Sequence, residues 1–282
     1  MNGKIIKIIS NDFTVLGEDN KQYICKARGK FRNMKLTPLV GDFVKFDKEN
    51  KYIVELMERK NFLIRPSVAN IDQLIIVSSV KHPDFDTNLL DKLLVTSEFN
   101  RIKPIICLTK LDLLSELELE EINKYTKYYE KIGYQVVINK ELDKIKELLK
   151  GKITVFTGQS GAGKSTLLNN LDKNLNIKTN EISLALGRGK HTTRHTELME
   201  INNGWVADTA GFSSLEFINM TKEDIRDNFV EIQDLRDGCK YKDCMHIKDD
   251  NCAIKEAVKE GIILNTRYEN YLKFVSGKDR EY

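Results

Sequence analysis

The string Gly158-Gln159-Ser160-Gly161-Ala162-Gly163-Lys164-Ser165 constrains the fold of this chain more than any other feature. It fits the phosphate-binding pattern GxxxxGK[ST], and it stands between an apolar run, Ile153 to Thr157, and a helical stretch, Lys164 to Leu171. A strand that turns through glycines into a helix surrounds phosphate oxygens with backbone N–H groups and the positive end of the helix dipole. In that setting Lys164 bridges the β and γ phosphates, Ser165 ligates magnesium, and Thr166 completes the binding set. Such a loop belongs at the carboxyl end of a strand in a layered α/β sheet.

A second string sits in an unexpected place. Thr109-Lys110-Leu111-Asp112 follows the apolar run Pro104 to Leu108 and lies before the phosphate loop. It resembles the guanine-reading NKxD box, which in an ordinary GTPase lies after that loop. Asp112 is positioned to accept two hydrogen bonds from guanine N1 and N2, which adenine cannot supply, and the stem of Lys110 lies over the base. Thr109 departs from the usual Asn, whose side chain ties this loop to the phosphate loop. The order of the two strings predicts a circularly permuted arrangement, which is permissible because the termini of compact domains often lie close together at the surface.

Two further segments belong to the same chemistry. Asp208-Thr209-Ala210-Gly211 ends the run Trp205 to Ala207 and matches DxxG: Asp208 would hold magnesium through water and the Gly211 N–H would contact the γ phosphate. Phe212 stands where many GTPases place a Gln that orients the attacking water. Either hydrolysis is intrinsically slow or another residue supplies the polar contact. The basic loop Gly187 to His195 is of the kind that orders around γ phosphate and magnesium. Within it Thr193 is the expected magnesium ligand, with Thr192 second, and His191 is the expected water-orienting group. His195 reads as an exposed contact residue.

The remaining sequence divides into three parts. Residues 1–62 hold short β-rich runs separated by turn signals, and 13 Lys and Arg against 8 Asp and Glu. They predict an OB-like barrel that binds RNA through Lys26, Arg28, Lys30, Arg32 and Lys35, against the plainer alternative of a solvated lysine-rich surface. Residues 63–220 alternate apolar runs (Leu74 to Val80, Pro104 to Leu108, Gln135 to Ile138, Ile153 to Thr157) with amphipathic stretches (Asn88 to Asn100, Glu116 to Lys131), the pattern of a doubly wound α/β domain. Residues 221–282 read as a helix over Lys222 to Leu235, a cysteine cluster, and a helix over Ala253 to Phe274.

Three of the five cysteines fall in that cluster. Cys239, Cys244, His246 and Cys252 offer three thiolates and an imidazole, enough to close a tetrahedral structural zinc site, one ion per chain, with no open position for substrate. Such a cluster fits a reducing compartment, and no apolar run reaches the roughly 18 residues of a membrane helix. The expectation is a cytoplasmic monomer with no membrane partner. The fold class that follows is α/β: a circularly permuted P-loop GTPase domain with an N-terminal OB-like β-barrel and a C-terminal helical zinc-binding domain. A P-loop ATPase and an RNA-binding module that keeps GTP as a structural ligand are the rival readings.

With these residues in view, the chain resembles the RsgA family of circularly permuted GTPases that depend on the small ribosomal subunit. The resemblance spans nearly the whole chain and is carried by Thr157 to Gly161, Gly187 to Thr193, Asp208 to Phe212 followed by Ser213-Ser214, and the Cys/Cys/His/Cys spacing. It implies GTP hydrolysis to GDP stimulated by the small subunit, a checkpoint role in late subunit maturation, rRNA as partner, and His191 as the matching catalytic residue. The run from Gly211 directly into the zinc segment would carry the state of the γ phosphate to a surface-binding domain. Where relatives carry a Ser-Ala or Ser-Ser pair that backs the guanine base, this chain has Asn139-Lys140, which predicts weakened base contacts there.

Overall fold

Alternation of apolar and polar residues in the first 56 positions turns five strands into a closed barrel. These are β1 (Asn2–Ile9), β2 (Asp12–Gly17), β3 (Gln22–Ala27), β4 (Phe43–Asp47) and β5 (Tyr52–Leu56). Val15, Cys25, Val44, Phe46 and Ile53 point inward and are almost wholly buried. The strands run in the order β1-β2-β3-β5-β4, and pairing of β1 with β4 closes the ring, the topology of an OB fold. The structure is a computed structural model that describes residues 1–29, 31, 36–64, 66–175, 177, 196–207 and 217–277.

A short hairpin, β6 (Phe62–Leu63) with β7 (Val68–Ala69), leads into the second layer system. Its central strands are parallel and buried: β8 (Gln73–Ser79), β9 (Lys103–Thr109), β10 (Gln135–Ile138) and β11 (Ile153–Thr157). The strand β12 (Thr196–Ile201) runs antiparallel to β13 (Gly204–Ala207), which lies parallel to β11. Helices α1 (Thr87–Phe99), α2 (Glu116–Lys131), α3 (Leu142–Leu149) and α4 (Lys164–Leu171) follow β8, β9, β10 and β11 in turn. Ser115 and Glu118 form a capping box that sets the start of α2, satisfying donors at both ends of the first turn.

The barrel is joined to this sheet edge to edge. Strand β1 pairs antiparallel with β12, with Lys7 opposite Glu197 and Ile8 opposite Thr196, so the whole sheet runs β10-β9-β8-β11-β13-β12-β1-β2-β3-β5-β4. Lys7 Nζ lies 2.9 Å from Glu197 Oε2, and Lys4 places its ammonium over the rings of Phe43 and Trp205. One hydrophobic cluster is continuous from Ile5 and Phe46 to Leu198 and Ala207. β12 was not anticipated from sequence, and it is the strand that makes this joint.

The carboxy-terminal part holds α5 (Lys222–Asp227), α6 (Val230–Leu235), α7 (Ala253–Lys259) and α8 (Asn265–Ser276). The two long helices expected here are each broken. At Asn228 the backbone N–H folds back onto the carbonyls of Asp224, Ile225 and Arg226, and Phe229, extended and fully buried, restarts the chain as α6. Gly261, at φ +72°, ends α7 in the left-handed conformation that costs glycine no Cβ clash, while Ile262 N–H closes on Ala257 O.

Candidate functional site

The phosphate loop is built as its glycines require. Gly158 has φ +134°, and a Cβ there would fall 2.0 Å from the carbonyl oxygen of Val77 on the neighbouring strand, so only glycine fits. Gly161 and Gly163 also have positive φ, and Gly163 is the residue from which α4 starts. Lys164 and Ser165 open that helix and are buried, while Thr166 is exposed beside them. Lys164 Nζ donates to the carbonyls of Gly158 and Gln159, each at 2.7 Å, so its ammonium is held by the loop itself. Burial lowers the Lys164 pKa to about 8.

The base-reading box docks on this loop. Thr109, at the end of β9 and buried, donates from Oγ1 to Ala162 O at 2.7 Å. The tie expected to be altered by Thr in place of Asn is therefore made by the shorter side chain. Lys110 takes a left-handed backbone and donates from Nζ to Gly161 O at 2.8 Å and to His82 O. Leu111 to Leu113 form a single 3-10 turn, which lifts Asp112 to the surface with its carboxylate half exposed. Two segments, whose contacting residues lie 53 and 51 positions apart, thus meet at the carboxyl ends of β9 and β11, where an α/β sheet binds its ligands.

Asn139 and Lys140 follow β10, whose Ile138 is paired with Leu108 on β9. The Asn139 N–H donates to Leu108 O at 2.9 Å, and Lys140 Nζ lies 3.6 Å from Asp112 Oδ1. The loop read as a departure from the family pattern therefore brings a cation to the Asp112 carboxylate. His191, Thr192, Thr193, His195, Asp208, Gly211 and Phe212 lie outside the described residues. Of the barrel cations, Lys26 and Arg28 are exposed, Lys26 lying opposite Asp12 and Tyr52, whereas Lys30, Arg32 and Lys35 lie outside the described residues.

Cys239, Cys244, His246 and Cys252 converge with their ligand atoms all within 4.8 Å of one another. Cys252 Sγ stands 3.9 Å from both Cys239 Sγ and Cys244 Sγ, and His246 Nδ1 lies 3.5 Å from Cys239 Sγ and 3.3 Å from Cys252 Sγ. A tetrahedron with zinc–sulfur bonds near 2.3 Å and zinc–nitrogen bonds near 2.0 Å has edges of about 3.8 Å between sulfurs and about 3.5 Å from sulfur to nitrogen. These four separations are close to that figure, with Nδ1 as the nitrogen that faces the sulfurs. Burial first, with hydrogen bonds to Asp249 and Cys252, pushes the Cys244 thiol up to about 12, and burial with the nearby Arg226 and Arg236 charges takes the His246 imidazole down to about 4. A neutral imidazole suits a metal, and a bound cation would ionise the Cys244 thiol. Tyr268 and Tyr271 fix the loop by donating to the carbonyls of His246 and Met245, each at 2.6 Å.

Helices α1, α6 and α8 share a charged cluster that the sequence did not announce. Arg267 on α8, 1% exposed, donates to Asp91 on α1 at 2.7 Å and to both oxygens of Glu231 on α6, at 2.7 and 3.2 Å. Tyr129 and Asn270 complete the shell of Asp91, each at 2.7 Å, and the guanidinium packs on Phe229. Asp91 and Arg267 are 176 residues apart, so no local signal links them.

A phosphate loop at one strand end, a guanine box docked on it from an upstream strand, and an appended barrel and metal centre define a circularly permuted P-loop GTPase. Residues 2–53 match the family described as the RsgA N-terminal domain, and residues 56–218 match the RsgA GTPase family. The chain is 53% identical over 281 residues to Small ribosomal subunit biogenesis GTPase RsgA 2 of Oceanobacillus iheyensis, covering 97% of this chain and 96% of that one. It is 48% identical to the RsgA of Bacillus velezensis, with 97% and 96% covered. Two crystal structures superpose over nearly the full length. YloQ, a circularly permuted GTPase, gives a TM-score of 0.83 at 40% identity, covering 100% of this chain and 96% of that one; YjeQ from Thermotoga maritima gives 0.84 at 35% identity, covering 98% and 97%. The chain belongs to the RsgA family of GTPases, and its chemistry is the hydrolysis of GTP.

Proposed function

We propose that this GTPase acts as a checkpoint factor in late maturation of the small (30S) ribosomal subunit, binding rRNA and hydrolysing GTP faster when the subunit is bound. The relatives named for small-subunit biogenesis, about half identical over the whole chain, carry this reading. Residues 1–62 serve as the RNA-binding barrel, 63–220 as the GTPase domain and 221–282 as the metal-binding segment. The protein works as a monomer in the cytoplasm.

The nucleotide is placed by this chain's own residues. Backbone N–H groups of Gly158 to Ser165 and the Lys164 ammonium take the phosphates, the ammonium having three donors of which two reach the Gly158 and Gln159 carbonyls. Asp112 selects guanine, and Lys110, pinned to Gly161 O, keeps the base box in register with the phosphate loop. A magnesium ion bound with GTP would be held by Ser165, Thr193 and Asp208, and would neutralise charge on the β and γ phosphates. Gly211 would contact the γ phosphate, and His191 would orient water where Phe212 cannot. The metal of the cysteine cluster is zinc in a structural role, as its thiolate-rich, closed ligand set favours.

The joint between barrel and sheet supports a route for stimulation. β12 begins at Thr196, directly after residues 187–195 in sequence, and its first two residues are the ones paired to β1 of the barrel. An rRNA contact on the barrel can therefore bear on the start of the strand that follows His191 in sequence. The test is GTP turnover by the full chain with and without purified small subunits. Acceleration of about 10- to 10³-fold, the range a repositioned catalytic group supplies, is expected. No turnover at saturating subunits would favour a module that keeps GTP as a structural ligand.

A further inference from the structure

We propose that Lys140 is a specificity residue that donates to the O6 carbonyl of guanine, acting beside Asp112 as the second half of a charged base reader. The proposal rests on Asp112 as the acceptor for guanine N1 and N2, and it assigns a contact to a loop whose sequence predicted weakened base contacts.

The position of Lys140 is set by backbone. Ile138 N–H donates to the Glu141 carboxylate at 2.8 Å, Glu141 N–H closes on Ile138 O at 2.9 Å, and Asn139 N–H continues the ladder to Leu108. This tight turn leaves Lys140 beside the end of β9, the strand that delivers Thr109 to Asp112. Its ammonium lies 3.6 Å from Asp112 Oδ1, with the two side chains 68% and 54% exposed. An exposed pair of this kind contributes little to stability. Its chemistry matters once a base covers it, because hydrogen bonds strengthen when water is excluded.

Guanine presents, in order along one edge, the N2 amino donor, the N1–H donor and the O6 acceptor. When the two oxygens of Asp112 take N2 and N1, O6 is the next group along. An ammonium has three donors, so Lys140 can keep one on Asp112 and give another to O6. Adenine turns an acceptor, N1, toward Asp112 and an amino donor, N6, toward Lys140, so both contacts become repulsive. A Ser-Ala or Ser-Ser pair in this loop could offer the base only backbone and a neutral hydroxyl. Here the side chain supplies a charge-assisted contact instead.

The experiment measures affinity of the full chain for GDP, inosine diphosphate and ADP, with and without Lys140→Ala, and repeats the comparison for xanthosine diphosphate in Asp112→Asn protein. Lys140→Ala should weaken GDP and inosine diphosphate, which share O6, by about tenfold or more, the worth of a hydrogen bond to a charged group, and should not weaken ADP, whose N6 donor Lys140 repels. The same factor should persist for xanthosine diphosphate in Asp112→Asn protein, because O6 is retained and the carboxylate is gone. An effect that vanishes in that background would mean that Lys140 only positions Asp112, and would overturn the direct contact. GDP affinity unchanged in Lys140→Ala, or equal losses for GDP and ADP, would also overturn it. Failure of Asp112→Asn to gain xanthosine diphosphate would instead refute the Asp112 reading beneath it.

Discussion

At the phosphate loop, Lys164 spends its contacts on two carbonyls of its own loop, whereas Arg267 in the carboxy-terminal segment meets two carboxylates and an aromatic face. Both cations are buried, but among the described residues only Arg267 meets carboxylates. At the nucleotide site Asp112 is half exposed, and the contacts of Lys164 among the described residues are carbonyls. In the metal-binding segment the four candidate ligands already converge within 4.8 Å of one another. A polar group that awaits a ligand should control affinity and specificity, and one satisfied within the fold should control stability.

The strongest way to break this contrast is to remove the metal. A closed structural site contributes on the order of 10 kcal/mol to folding, so Cys244→Ser or chelation should release about one zinc per chain and melt the segment around Cys239 to Cys252. Because α8 packs on α1 through Arg267 and Asp91, amide exchange should also rise in α1. Metal analysis of freshly purified protein that finds no zinc would remove this part of the account. Next in size is Arg267→Ala, which strands Asp91 and Glu231 without their partner. Loss of about 3–5 kcal/mol is expected in denaturant unfolding, with GDP affinity near wild type while the protein is folded. A large fall in GDP affinity with unchanged stability would reverse the assignment of roles.

The smallest effect is a pH dependence at the open site. Phosphate binding needs Lys164 protonated, and in the free protein burial lowers its pKa to about 8, while bound phosphates raise it. Affinity for GDP should therefore be full below about pH 8 and fall as pH rises through that value, by up to about tenfold per unit. Calorimetric titration between pH 7 and 9 should show uptake of a proton on binding at the upper end. A flat profile would mean that the carbonyl cradle keeps Lys164 charged.

How much of this was legible in the sequence depended on distance along the chain. The phosphate loop, the TKLD box and the cysteine spacing are local strings, each set by chemistry that tolerates few alternatives, and their order alone carried the permutation. Apolar runs marked the buried strands for the same reason. Helical periodicity persisted through 228–229 and 260–264, so two breaks were passed over; Gly261 was a local stop signal, but the break at Phe229 comes from its burial among Tyr271 and Phe274. The pairing of β1 with β12, the Arg267 cluster and the approach of Lys140 to Asp112 join distant segments. Only the folded chain reveals them. Thr109 teaches the converse: the residue type departed from the pattern, yet its hydroxyl keeps the contact with Ala162.

The most direct test of the account is a nucleotide titration of wild-type and Asp112→Asn protein with GTP, XTP and ATP. The wild type should prefer GTP over ATP by on the order of 10⁴-fold, since the wrong base would cover the half-exposed Asp112 carboxylate and leave it unpaired. Asp112→Asn should reverse the order of GTP and XTP while unfolding at the same denaturant concentration. A variant that still prefers GTP over XTP, or a wild type that binds ATP and GTP equally, would contradict the central claim that the upstream box reads guanine for the permuted phosphate loop.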